Sequence, residues 1–141
     1  MPEPAASLDP QVAETIERAL ELYREKHVDR AIEIMGALAA EAPTVPPVQF
    51  YLALLLVQDG QFNGAIEPAR LAVQQAPESG KASMVLYRAL GGSGLHAEAL
   101  EELKRYLATN PSGEYAEILR DLKTKIEVEL EKDGHANPGS G

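Results

Sequence analysis

The stretch DGQFNGAIEPARLAVQQAP, Asp59 to Pro77, decides the fold. It opens on an Asp-Gly turn, passes through Ala65-Ile66 and ends at Pro77, which cannot continue a helix. The same marks recur on both sides of it. Ala31, Ala65 and Ala99 are spaced by 34 residues, as are Pro43, Pro77 and Pro111, so each proline follows its alanine by 12. Upstream, Leu22, Leu56 and Leu90 lie nine residues before the alanines, and Lys26, Gly60 and Gly94 lie five before. Val28, Phe62 and His96 lie three before. A fixed period of this size signals stacked copies of one supersecondary unit.

One copy is readable physically. A first helix ends near the glycine position, a tight turn follows, and a second helix runs from before the alanine to before the proline. The alanine is small because two antiparallel helices approach closely there; a bulky residue would overpack the crossing by roughly 1–3 kcal/mol. Ala19 and Ala53 are the matching small faces on the first helices, but the third copy holds Tyr87, so its pair is expected to pack differently. The pattern predicts helices at about 10–26, 29–41, 46–58, 62–75, 80–91, 96–109 and 113–132. Asp9, followed by Pro10, is a natural cap, and Ser79 and Ser112 are further candidates. Pro68 removes the helix bond to the Gly64 carbonyl and is expected to kink its helix slightly without breaking it.

The series Ala53, Gly60, Phe62, Ala65 and Pro77 closely resembles the tetratricopeptide repeat, a helix–turn–helix unit of 34 residues. The resemblance covers Val12 to Gly113 as three repeats, about 12–45, 46–79 and 80–113. Thr15, Gln49 and Ser83 stand where the family favours Trp, and Arg18 replaces the usual Leu of the first copy. The resemblance implies an all-α, right-handed superhelical stack of about seven helices. Glu114 to Lys132 reads as its C-terminal capping helix, with Tyr115, Ile118, Leu119, Leu122 and Ile126 on one stripe. The domain is thus expected over 9–132, with disordered tails at 1–8 and 133–141.

Composition narrows the function. The 141 residues include no cysteine, which excludes a disulfide framework, a thiolate zinc site and a cysteine nucleophile. A net charge of −9 disfavours nucleic acid and anionic membrane surfaces. The N-terminus carries no basic and apolar leader pattern, and the longest apolar run, Phe50 to Val57, is too short to span a bilayer. A cytoplasmic protein without membrane insertion is therefore expected. His27 and His96 occupy separate inter-helix turns and His135 lies in the tail, so they cannot share a metal. Ser93, in GGSG, is not a nucleophile elbow, and Glu101-Glu102 reads as a solvated helix face. No catalytic residue, cofactor or metal is expected.

In the repeat family the first helices line a concave groove that binds peptides or helices. The register places Ile16, Phe50 and Met84, then Leu20, Leu54 and Arg88, then Tyr23, Val57 and Gly91 on that face. One family subclass grips a terminal carboxylate with Lys, Asn and Arg at the first two groups of places. Here those places are apolar except for Arg88, so that clamp is absent. The expected function is a non-catalytic interaction module or adaptor, similar to small bacterial adaptor proteins. It would bind an apolar peptide or amphipathic helix through Ile16, Leu20, Tyr23, Phe50, Leu54, Val57, Met84 and Arg88. Three alternatives stay open: a homodimer that buries the groove, cover by the chain's own ends, and a secretion-type chaperone holding apolar segments.

Overall fold

A computed structural model describes residues 8–136, with side chains as far as Lys132. It contains seven helices: α1 (Pro10–Arg24), α2 (Val28–Glu41), α3 (Pro46–Gln58), α4 (Phe62–Gln75), α5 (Gly80–Gly92), α6 (His96–Thr109) and α7 (Glu114–Ala136). No strand occurs among the described residues. Most of each tail expected from the sequence, 1–7 and 137–141, lies outside the described residues. Two helix ends differ from expectation by more than one residue. Helix α7 continues four residues beyond Lys132, to Ala136, and so carries His135. Helix α1 stops at Arg24 because Lys26 turns into the left-handed region, at φ 72°.

The 34-residue period reappears as geometry. Lys26, Gly60 and Gly94 all have positive φ, at 72°, 80° and 82°. In each copy two bonds close the first helix: His27 N to Leu22 O, Gln61 N to Leu56 O and Leu95 N to Leu90 O, all 2.8 Å. Lys26 N to Tyr23 O, Gly60 N to Val57 O and Gly94 N to Gly91 O, at 3.0–3.1 Å, complete them. This is the left-handed helix ending in which a residue with φ > 0 satisfies the orphan carbonyls. The leucine and glycine positions nine and five before each alanine are its two ends.

Close approach of the helix pairs is equally regular. Ala31, Ala65 and Ala99 are wholly buried, as are Ala19 and Ala53. Tyr87 does pack differently: half-buried, it turns toward α7 and lines a small cavity with Thr124, Ile126 and Val128. Burial pushes the Tyr87 phenol above its ordinary pKa. Pro68 sits buried within α4, which runs unbroken from Phe62 to Gln75. Asp9 caps α1, its carboxylate accepting from Gln11 N at 2.7 Å, and Ser79 caps α5 by accepting from Ala82 N at 3.1 Å. Ser112 is not a cap: α7 starts at Glu114, and Gly113, at φ 122°, makes the turn into it.

Successive helices pack on one another along the chain, and in addition α1 meets α3, α3 meets α5 and α5 meets α7. Helices α2, α4 and α6 make no such approach to one another. The first helices therefore lie on the inner side of the curve and the second helices on the outer side. Two apolar clusters fill the stack. One is built on Ile16, Met35, Val48 and Leu55, the other on Val57, Leu90, Leu103 and Leu119. Helix α7 contributes Ala116, Leu119 and Ile126 to the buried set, while Ile118, expected on the same stripe, is 44% exposed. Its offset from Leu119 turns it outward, because the packed face is made by 115, 116, 119, 122 and 126.

Candidate functional site

Helices α3 and α5 present one face each to the inner side of the stack. Between them opens an apolar cavity of about 330 Å³, lined by Phe50, Tyr51 and Leu54 from α3, Lys81, Met84, Val85 and Arg88 from α5, and Tyr115 from α7. Four of the eight residues expected in the groove thus converge on one place: Phe50, Leu54, Met84 and Arg88. Their spacing explains this, since positions 50 and 54 share a face of α3 just as 84 and 88 share a face of α5.

The other four do not join them. Val57 is 2% exposed and belongs to the core, and Ile16 is 7% exposed within the N-terminal cluster. Neither offers more than a sliver of surface to a ligand. The register argument placed them on the inner face but not at a depth, and Val57 lies where α3 turns into the packing against α4 and α5. Leu20 and Tyr23 are half-buried on α1, where they pack against the N-terminal cluster and take no part in this cavity.

Four lining residues escaped the sequence reading: Lys81, Tyr51, Tyr115 and Val85, the last a buried core residue at the cavity floor. Lys81 lies one turn before Met84 on the same face, so extending the register by three positions would have found it. It also corrects the expectation of a single cation in the groove. Tyr51 packs edge-to-face on Phe50, ring centroids 5.1 Å apart at 74°. Tyr115 had no such local signal. Its ring occupies the space that a Cβ on Gly80 would fill, so the missing side chain at Gly80 seats the start of α7 against α5. Arg88 Nη2 reaches Gln58 Oε1 at 3.4 Å, a long contact that leaves most of its donors free. A second apolar cavity of about 320 Å³ adjoins the first and shares Phe50, Tyr51 and Lys81 with it, continuing toward Pro46 and Pro47.

The outer side is different in kind. Arg70 Nη2 donates to Glu98 Oε1 at 2.7 Å, bridging α4 and α6. Arg105 donates from Nε and Nη2 to both oxygens of Glu102, at 3.0 and 2.8 Å. Glu102 is 8% exposed, so it is a buried, paired carboxylate and not the solvated one expected from its sequence neighbour. Its hydrogen bonds raise the Arg105 pKa above the ordinary value, so the guanidinium stays charged. Ser93 ends α5, its hydroxyl donating to the Ala89 carbonyl at 2.8 Å. No cluster of possible metal ligands occurs among the described residues. No described helix is long and apolar enough to cross a membrane.

Neither a protein-family model nor a curated protein matches the sequence. Solved structures do match. The Sgt2 tetratricopeptide-repeat domain from Aspergillus fumigatus superposes with a TM-score of 0.76 at 21% identity, covering 94% of this chain and 85% of that one. The second such domain of human RPAP3, in complex with the HSP70 peptide SGPTIEEVD, gives 0.70 at 19% identity, covering 83% and 95%. The type III secretion translocator chaperone SycD of Yersinia enterocolitica gives 0.73 at 16% identity, covering 91% and 92%. The chain has the tetratricopeptide-repeat fold, an all-α solenoid of three helix pairs and a closing helix.

Proposed function

We propose that this tetratricopeptide-repeat stack is a non-catalytic interaction module that binds a protein segment with apolar side chains in its concave groove. The observation that carries the reading is the convergence of Phe50, Leu54, Met84 and Arg88, from two successive first helices, on one open cavity. A site of this size, mostly apolar with a few polar groups, suits one large side chain of a partner. Burying a Leu-sized anchor contributes about 1.5–3 kcal/mol, so ordering costs require more than one anchor for useful affinity. The adjoining cavity at Pro46 and Pro47 offers a place for a second. Solved neighbours of the same fold include one holding a peptide and one that is a type III secretion translocator chaperone, which accords with either an adaptor or a chaperone of apolar segments.

The test compares partner capture by the full chain, by Leu54→Glu and by the outer-face variant Glu101→Lys. All three are checked for helicity first, because Leu54 also touches the core. A partner retained by wild type and Glu101→Lys but lost on Leu54→Glu supports the groove. Equal capture by all three would move the site to the outer face.

A further inference from the structure

We infer that the occupant of the groove is an internal acidic segment of another protein, in which two carboxylate side chains bracket one large apolar residue. This rests on the groove reading above and adds the ligand's chemistry. The lining of the α3–α5 cavity includes two cations, Lys81 and Arg88, and no carboxylate. That is against the composition of the chain, where 22 Asp and Glu outnumber 13 Lys and Arg. Elsewhere cations in cavities are matched by acids: Arg70 and Arg105 line theirs with Glu98, Glu101 and Glu102, and Lys125 shares one with Glu129. Neither Lys81 nor Arg88 enters any of the ion pairs among the described residues.

The geometry sets the spacing. Lys81 and Arg88 are seven residues apart on one helix, two turns or about 10 Å. An extended chain alternates its side chains and advances about 3.3 Å per residue, so acids at i and i+4 share one face about 13 Å apart, within reach of these two long, flexible cationic side chains. The apolar residue at i+2 shares that face and meets Leu54, Met84 and Tyr115. The excess of acid over the rest of the surface repels a misplaced acidic segment, so this cation pair acts as a selective address.

The experiment selects a random short-peptide library, displayed internally on phage without a free C-terminus, against the folded full chain with Leu54→Glu as counter-target. Enriched peptides are then synthesised and titrated by fluorescence anisotropy. Enriched sequences are expected to carry Asp or Glu four residues apart, with a large apolar residue midway between them. Lys81→Glu and Arg88→Glu should each weaken binding by roughly tenfold, and a peptide with one acid changed to Lys should regain affinity for Lys81→Glu. Apolar sequences without acids, still rejected by Leu54→Glu, would overturn this inference and leave the groove reading intact. Peptides that bind Leu54→Glu as well as wild type, or no enrichment at all, would sink both. Enrichment only from a library with free C-termini would mean that a chain terminus is the ligand, against an internal segment. A concentration-dependent mass in sedimentation, abolished by Leu54→Glu, would make a second copy the occupant and equally overturn it.

Discussion

Lys26 holds the place that glycine holds in the other two copies, at nearly the same backbone angle: φ 72° against 80° and 82°. An L side chain there carries a clash between its Cβ and the following carbonyl that glycine avoids, at about 1–2 kcal/mol. Part of that is offset because glycine loses more freedom on folding. Lys26→Gly is therefore expected to stabilise the chain by about 0.5–1 kcal/mol, read as a raised urea midpoint with unchanged slope. An unchanged or lower midpoint would show that the lysine stem makes compensating contacts in the turn. The place where the family favours Trp also differs from copy to copy. Gln49 is buried and donates from Nε2 to the Pro43 carbonyl at 3.3 Å, whereas Ser83 is fully buried with an unpartnered hydroxyl.

Each helix pair ends at an in-phase proline, and the carbonyl of that proline is held by a long side chain from further along. Pro43 O accepts from Gln75 Nε2 at 3.0 Å, Pro77 O from Arg105 Nη1 at 3.1 Å, and Pro111 O from Arg120 Nη1 at 2.9 Å. Helices α4 and α6 thus tie their repeats to the one before, and α7 ties itself to the third repeat. Arg105 does this while also neutralising buried Glu102, so Arg105→Leu leaves a carboxylate with 7% side-chain exposure and no counter-charge. Losing a charged hydrogen-bond partner at a buried group costs about 1–3 kcal/mol; thermal melting of this variant should show it, and Glu102→Gln in the same chain should recover part of the loss. A double variant no more stable than Arg105→Leu would mean that the Pro77 contact carries the effect. The helices and their order were legible because their punctuation is local: a left-handed turn residue, a small alanine and a stopping proline. Lys81 was legible in the same way, one turn before Met84 on its own helix, but Tyr115 and the burial of Glu102 were not, since each depends on what a neighbouring helix brings within reach. Gly80 shows why, because its role appears only when Tyr115 fills the space beside it.

Because every helix of the stack packs mainly on its neighbours in sequence, stability is close to a sum of units and interfaces. Helix α7 closes the last interface with Ala116, Leu119 and Ile126, none more than 4% exposed, and it also supplies the Tyr115 wall of the groove. Two Leu-sized side chains at about 1.5–3 kcal/mol each amount to roughly 3–6 kcal/mol, an upper estimate given residual burial in the unfolded chain. That is a large share of the roughly 5–15 kcal/mol typical of a whole domain. A chain ending at Gly113 is therefore expected to melt much lower, with the loss falling unevenly along the stack. Helices α5 and α6 lose their cover and should exchange their amide protons first, while α1 and α2, which do not touch α7, keep most of their protection. Hydrogen exchange resolved by peptide separates this from the opposite case. A uniform loss of protection from α1 to α6 would show that the three repeats unfold as one cooperative unit, and that α7 stabilises the whole solenoid and not its last repeat alone.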